Sequence, residues 1–116
     1  MNQIRISFLF TVILSGSLLT AAQNKPHCVA DVEQTTTAAQ KSKDYSQALA
    51  KAEECIRRHP KSVDALIARA DVYASKGDFD LAIADANKAV ASSPASGEIY
   101  FRRGSIYDRR ARNTFL

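Results

Sequence analysis

The chain has 116 residues, of which 46% are hydrophobic, and its formal net charge is +4. This length leaves room for one domain. With four Gly, three Pro and no Trp, and with abundant Ala, the composition favours long helices that meet through small side chains.

The N-terminal segment, residues 1–22, differs in composition from the rest. Arg5 is its only charged side chain, residues 6–19 are uncharged and mostly apolar, and small residues follow up to Ala22. This layout is typical of a secretory signal peptide cleaved after Ala22, so the sequence predicts a periplasmic or secreted protein. An uncleaved membrane anchor is the alternative, but the apolar run at 6–19 spans only about 21 Å as a helix, less than the roughly 30 Å hydrocarbon core.

Apolar residues recur at helical spacing through the rest of the chain. The first stripe is the weakest, because three consecutive Thr at 35–37 are poor helix formers. It contains Val29, Val32 and Ala39. Three clearer stripes follow: Ala48, Leu49, Ala52, Cys55 and Ile56; Ala65, Leu66, Ala70 and Tyr73; and Leu81, Ala82, Ala86, Ala89 and Val90.

Helix boundaries are marked by residues with special backbone preferences. Gly77 suits the left-handed position after a helix, and Pro60 and Pro94 end helices because the residue before Pro is driven out of helical geometry. The residues predicted to cap the following helices are Asp44, in a capping box with Gln47, then Ser62, Asp78 and Ser96.

The excess positive charge lies in the last segment. Residues 23–96 carry ten basic and ten acidic side chains, whereas residues 97–116 carry five Arg against Glu98 and Asp108. A basic patch can bind nucleic acid, but export to a compartment without nucleic acid argues against that partner. The sequence favours a solvated helix face and a frayed C-terminal tail.

The whole pattern repeats at a fixed period. Asp44 aligns with Asp78, Pro60 with Pro94, Arg69 with Arg103, and Tyr73 with Tyr107. This self-similarity indicates stacked helical hairpins, none of which can bury its apolar face alone. After a short segment at 23–28, the predicted units are 29–62, 63–96, and a half unit with a basic tail at 97–116. Such a stack favours a binding surface over a catalyst.

These residues resemble the tetratricopeptide repeat (TPR) family, whose unit of about 34 residues equals the offset between Asp44 and Asp78. The second unit carries nine positions of the family pattern: Leu66, Ala70, Tyr73, Gly77, Phe79, Ala82, Ala86, Ala89 and Pro94. The first unit departs from it in its first helix, and the third departs at Asn113, where an aromatic residue belongs. The resemblance implies an all-α fold, a right-handed helical-hairpin solenoid of about two and a half units whose concave groove is lined by the first helix of each unit.

Two and a half units are fewer than the roughly three that such stacks need. Six apolar side chains near the C-terminus cannot all be covered by the preceding helices: Tyr100, Phe101, Ile106, Tyr107, Phe115 and Leu116. The sequence therefore predicts a homo-oligomer formed through the last helix, a partner that covers it, or a truncated or degenerate member of a longer array that acts structurally.

The two cysteines lie at the start of one helix and late on the next, so an antiparallel hairpin brings both to the same end. In an oxidising compartment, such a pair predicts a Cys28–Cys55 disulfide. A metal- or redox-linked module is the alternative. His27 and His59 would complete a set of two nitrogen and two sulfur ligands, but His27 and Cys28 diverge on a helix, and the pair is not C-x-x-C.

No phosphate loop, nucleophile elbow, zinc-protease motif or calcium loop occurs in the sequence. We therefore predict no enzyme activity and no cofactor. The TPR resemblance implies a protein or peptide partner in the concave groove, lined position by position by Glu33, Thr37, Asp64, Ile67, Asp71, Glu98, Phe101 and Ser105. These side chains are acidic, polar or apolar, so we expect a basic or apolar ligand, anchored on Phe101 and Ile67 and oriented by the carboxylates.

Overall fold

The computed structural model describes residues 25–115, so the predicted signal peptide lies outside the described residues. Within 25–115 the chain forms five α-helices and no strand: α1 (His27–Ser42), α2 (Ser46–Arg58), α3 (Val63–Lys76), α4 (Phe79–Ser92) and α5 (Gly97–Thr114). The all-α prediction is confirmed. No helix in this part of the chain is long and apolar enough to cross a membrane.

The helices stack as two hairpins and a half. Helix α1 packs against α2, and α3 packs against α4, while α2 meets α3 and α4 meets α5 across the boundaries between units. The first helices of the units also contact one another, α1 with α3 and α3 with α5. This arrangement places α1, α3 and α5 side by side in one layer.

The core consists of two clusters that correspond to the two hairpins. The first joins α1, α2 and the inner side of α3, and the second joins α3, α4 and α5. Small residues are fully buried where the helices approach each other, notably Ala48, Ala52, Ala65, Ala70, Ala82, Ala86 and Ala89. These alanines allow close helix contact, and branched side chains such as Val72 and Ile106 fill the remaining space.

Helix α1 runs unbroken through its three threonines. The hydroxyls of Thr35, Thr36 and Thr37 each donate a hydrogen bond to the backbone carbonyl four residues earlier, at 2.6, 2.7 and 3.0 Å. These bonds satisfy the side chains within the helix, and Val29, Val32 and Thr36 bury one face of it in the core. Tertiary packing therefore overrides the weak local preference.

Two predicted boundary residues have the predicted geometry. Gly77 has φ +95° after α3, and its amide donates to the carbonyl of Ala74 at 3.2 Å. The Ser62 hydroxyl accepts a hydrogen bond from the Ala65 amide at 3.2 Å, which caps α3. Both ends of α3 are thus fixed by local chemistry.

The other predicted caps differ from expectation. Helix α2 begins at Ser46, so Asp44 precedes the N-cap residue and cannot form the capping box; its carboxylate instead accepts from the amide and hydroxyl of Ser46 at 3.0 and 2.6 Å. Asp78 and Ser96 occupy N-cap positions without side-chain capping bonds. The Asp78 carboxylate forms an ion pair with the Lys76 ammonium at 3.1 Å, since the two side chains flank the Gly77 turn.

Helix α5 is longer and better anchored than a frayed tail. It continues to Thr114, and Ile99 and Ile106 are buried against the preceding unit. Of the six apolar side chains that cannot all be covered, Ile106 is the one that the preceding helices bury among the described residues, at 1% exposed. The expectation is met by four aromatic residues of this segment, which remain exposed: Tyr100, Phe101, Tyr107 and Phe115. Leu116, the last of that set, lies outside the described residues.

Candidate functional site

The layer formed by α1, α3 and α5 contains a cavity of about 110 Å³. Its lining comes from all three helices and from the segment just before α1: Lys25, Val29, Glu33, Asp64, Ile67, Glu98, Ile99 and Arg102. We call this set of residues, together with Asp71, the groove. Small-molecule sites usually occupy about 300–1,000 Å³, so a cavity of this size suits one side chain of a larger ligand rather than a cofactor.

The structure brings four of the predicted groove residues together in the cavity lining: Glu33, Asp64, Ile67 and Glu98. Ile67 is only 7% exposed, so it forms part of the cavity wall and does not protrude toward a ligand. Ile67 could therefore contact only a ligand group that enters the cavity, whereas the other expected anchor, Phe101, is 75% exposed on α5.

The other predicted residues lie outside the cavity lining. Asp71 lies one helical turn beyond Ile67 on α3, and its carboxylate contacts Arg102 at 2.7 Å. Thr37 and Ser105 are exposed on α1 and α5, and the Thr37 hydroxyl donates to the Glu33 carbonyl. The sequence-derived set therefore divides into a cavity group and a peripheral group.

Two of the acidic side chains in the groove already have cationic partners. Lys25 contacts Glu33 at 2.9 Å and Arg102 contacts Asp71 at 2.7 Å. Asp64 and Glu98 form no ion pair within the part of the chain that the structure describes. The cavity lining holds three carboxylates and two cations, so its electrostatics favour an additional positive charge.

Asp71 is the groove residue whose protonation is most affected by its surroundings. Burial on α3 raises the pKa of this carboxyl, and the nearby guanidinium groups of Arg102 and Arg109 oppose that shift. The net direction is upward, because removal from water disfavours the charged form more than the two cations favour it.

Three cationic residues of the groove and its edge are missed by the sequence reasoning: Lys25, Arg102 and Arg109. The sequence places Arg102 and Arg109 on a solvated face, whereas Arg102 reaches Asp71 and Arg109 donates to the Ser75 hydroxyl at 3.3 Å. The repeat period contains a signal. It aligns Arg102 with Ala68, a buried residue that belongs to the core cluster shared with α1, so an inward direction could be read from the repeat.

The two cysteines are paired as predicted. Cys28 at the start of α1 and Cys55 near the end of α2 are bonded in the structure, with their Cα atoms 5.6 Å apart. In this state neither sulfur can act as a thiolate ligand for the alternative metal site. Among residues 25–115, no group of three or more His, Cys, Asp or Glu side chains is placed to hold a metal ion.

Two larger depressions are open to solvent and contain none of the predicted groove residues. One, of about 390 Å³, lies beside Cys28 between α1 and α2, and the other, of about 400 Å³, lies between the end of α3 and the end of α5.

The repeated hairpins are matched by a family model described as tetratricopeptide repeat, over residues 37–97. This match covers more than half of the 116-residue chain. The chain belongs to the tetratricopeptide repeat family. No solved structure matches it at a significant level. The matched TPR region contains α2, α3 and α4 entire, and thus the central part of the groove.

Membership of the TPR family indicates a protein-interaction module. In stacked-repeat proteins, each unit contributes to an extended surface, and the side of the stack formed by equivalent helices acts as a binding face. In this TPR protein the equivalent helices α1, α3 and α5 form one layer, and the cavity lies in that layer.

Proposed function

We propose that this TPR protein is an exported interaction module that binds a peptide or protein segment in the groove between α1, α3 and α5. The observation that carries the proposal is the cavity itself: helices from three successive units converge on it, and Asp64 and Glu98 line it without an ion-pair partner among the described residues. A surface of this kind favours an extended ligand that crosses several units.

The chemistry of the groove favours a ligand with a Lys or Arg side chain next to an apolar one. A cation in the cavity would approach Asp64 and Glu98, while Val29 and Ile99 provide apolar contact for the aliphatic part of the same side chain. Phe101 is mostly exposed nearby on α5 and offers a large apolar contact for a neighbouring ligand residue.

Cations of the protein itself would compete with a ligand cation for the carboxylates of the groove. Arg102 contacts Asp71 in the structure, so a ligand cation that reaches Asp71 has to displace or share this partner. Two of the three cavity carboxylates, Asp64 and Glu98, form no ion pair among the described residues, and we therefore assign the first recognition of a ligand cation to them rather than to Asp71.

A peptide array tests the groove. Peptides from exported and envelope proteins are screened against the protein, and hits are measured in solution with the double variant Asp64→Asn/Glu98→Gln and with Phe101→Ala. We expect each change to weaken binding of Lys- or Arg-containing hits by about 10-fold or more, since a bound ligand would cover these side chains and a few charged and aromatic contacts dominate the affinity of an interface.

The matched control is Asp80→Asn. Asp80 lies on α4, its side chain is 90% exposed, and it is not part of the cavity lining. This variant loses one negative charge but should leave the affinities unchanged. If Asp80→Asn weakens binding as much as the groove variants do, the interaction depends on net charge and the groove proposal is wrong.

Export is the second part of the proposal, and it is supported by the composition of residues 1–22. Expression of the full-length sequence in a bacterium, followed by fractionation and intact mass measurement, tests it. Recovery of a soluble form that begins at Gln23 supports cleavage after Ala22. Recovery of the uncleaved chain in the membrane fraction would establish the anchor instead.

A further inference from the structure

The packing of α3 on α4 shows how one helix of this protein recognises the next. Nε and Nη2 of Arg69 donate to the two carboxylate oxygens of Asp85 at 2.7 and 2.8 Å. The Arg69 guanidinium also lies over the Tyr73 ring, 5.8 Å from its centre. Beside this pair, Ala70 of α3 and Ala86 of α4 are both fully buried, so the two helices meet closely. The interface thus combines small residues with one charged contact.

Helix α5 presents the same face one repeat unit later. Tyr100 takes the place of Leu66, Arg103 of Arg69, Gly104 of Ala70, and Tyr107 of Tyr73. We call these four α5 residues the outer face. Arg103 lies over the Tyr100 ring, 5.3 Å from its centre, on the opposite side along the helix from Tyr107, the repeat equivalent of Tyr73.

The outer face lacks the cover that its counterpart has. Tyr100 and Tyr107 are 43% and 46% exposed, and outside the nearby backbone of α5 no atom lies within 4 Å of the position that a Cβ on Gly104 would take. Arg103 donates to the side-chain oxygen of Asn87 at 3.1 Å but forms no ion pair within residues 25–115. Among these residues, no carboxylate lies beside Arg103 in the way that Asp85 lies beside Arg69.

We infer that the outer face binds an amphipathic helix of a partner protein, with an acidic residue set among small ones. The chemistry required is that of α4, in which Ala82, Ala86 and Ala89 are fully buried and Asp85 pairs with Arg69 of α3. In the partner, small residues at i, i+4 and i+7 contact Gly104 and the two tyrosines. An Asp at i+3 accepts hydrogen bonds from two guanidinium nitrogens of Arg103, as Asp85 does from Arg69. This site is separate from the groove, which uses Glu98, Ile99 and Arg102 of α5.

The probe is a labelled synthetic peptide covering residues 78–95, which carries the α4 pattern. Its affinity is measured by fluorescence anisotropy against the protein expressed from its full-length sequence in an oxidising compartment. We expect saturable binding. Asp85→Lys in the peptide and Arg103→Glu in the protein should each weaken binding by about 10-fold or more, and the two changes together should restore most of it.

A steric variant tests the same face without a change of charge. At Gly104→Leu the added Cβ has no atom within 4 Å outside the nearby backbone of α5, and the longer side chain fills the place of the partner's small residue. We expect at least about 10-fold weaker binding. Gly97→Ala, at the start of the same helix and also in open space, is the matched control and should bind the peptide normally.

Three outcomes overturn the inference. In the first, the peptide fails to bind at millimolar concentration. In the second, the peptide binds the Arg103→Glu and Gly104→Leu proteins as tightly as it binds the unsubstituted protein. In the third, light scattering shows a dimer that dissociates in both variants and that the peptide does not disrupt, so that a second copy of the chain, and not a partner helix, covers the outer face.

Discussion

The guanidinium of Arg69 and the carboxylate of Asp85 form a two-point ion pair that joins α3 to α4 in the second hairpin. The side chains are 21% and 4% exposed, so the carboxylate depends on this partner more than the guanidinium does. The contact with Asp85 raises the pKa of Arg69 further above its already high value, which keeps the guanidinium charged throughout the useful pH range.

Replacement of Arg69 by Ala should destabilise the protein strongly. The change leaves the Asp85 carboxylate buried without its partner, and the loss expected from such an uncompensated charge is about 3 kcal/mol of unfolding free energy. Urea denaturation followed by circular dichroism measures it. The control is Arg58→Ala, which breaks an exposed pair with Glu54 on α2 and should cost under about 1 kcal/mol. Equal losses in the two variants would show that the buried pair has no special weight.

Reduction of the disulfide should destabilise the first hairpin. Cys28 and Cys55 are 27 residues apart in sequence, and opening a loop of that size costs roughly 3–4 kcal/mol on the chain-entropy model. The comparison is between oxidised and reduced protein of the same sequence, because substitution of the buried Cys55 would itself disturb the core. Urea midpoints with and without reductant give the difference. Unchanged midpoints would contradict the prediction.

Substitution of Gly77 by Ala should cost about 1–2 kcal/mol, because φ is +95° at this position and an L-residue is strained there. No neighbouring atom lies near the added methyl, so the loss reflects the backbone alone. Gly97→Ala is the control: it lies in the first turn of α5, also without nearby atoms, and should be neutral or slightly stabilising. Thermal melts of both variants distinguish the two glycines.

The groove should give the protein a pH-dependent stability through Asp71. Its pKa is raised from the ordinary 3.8 by burial, so the folded state binds its proton more tightly than the unfolded state does. The resulting stabilisation is fully present below the unfolded pKa and is lost as the pH rises through the higher folded value. Asp71→Asn cannot titrate. The melting temperature of the original protein minus that of Asp71→Asn should therefore fall as the pH increases from 3 to about 6.

The opposite slope in that comparison has a clear meaning. If the original protein gains stability over Asp71→Asn as the pH rises, the attraction between Arg102 and Asp71 outweighs the cost of burial. Such a result would reverse the direction of the pKa shift and would make the Arg102–Asp71 contact a stabilising pair.

The sequence is sufficient to predict the helix content and the repeat, because these depend on local and periodic signals. Gly77 and Ser62 terminate and cap helices through chemistry within a few residues, and buried alanines recur at the repeat period. The predicted start of α2 is one residue early, because Tyr45 is buried in the core at the N-cap position and Asp44 bonds Ser46 outside the helix.

The charge distribution of the groove could not be predicted in the same way. The contact between Arg102 and Asp71 joins residues 31 apart on two different helices, and a net count of charges assigns such an Arg to solvent. Lys25 is missed for a similar reason, since it lies before α1 and reaches Glu33 across the first two turns. Long flexible cations reveal their partners only when the helix layer is assembled.

The covalent link between α1 and α2 also makes the two ends of the stack unequal. A helix with packing neighbours on one side separates most easily from a linear stack; among the five described helices, α1 is cross-linked to α2, whereas α5 has no covalent link besides the backbone. Local unfolding should therefore start at α5 and proceed toward α1, with amide hydrogen exchange fastest in 97–114. A protein that binds α5 would stabilise this helix and slow amide exchange as far as α4.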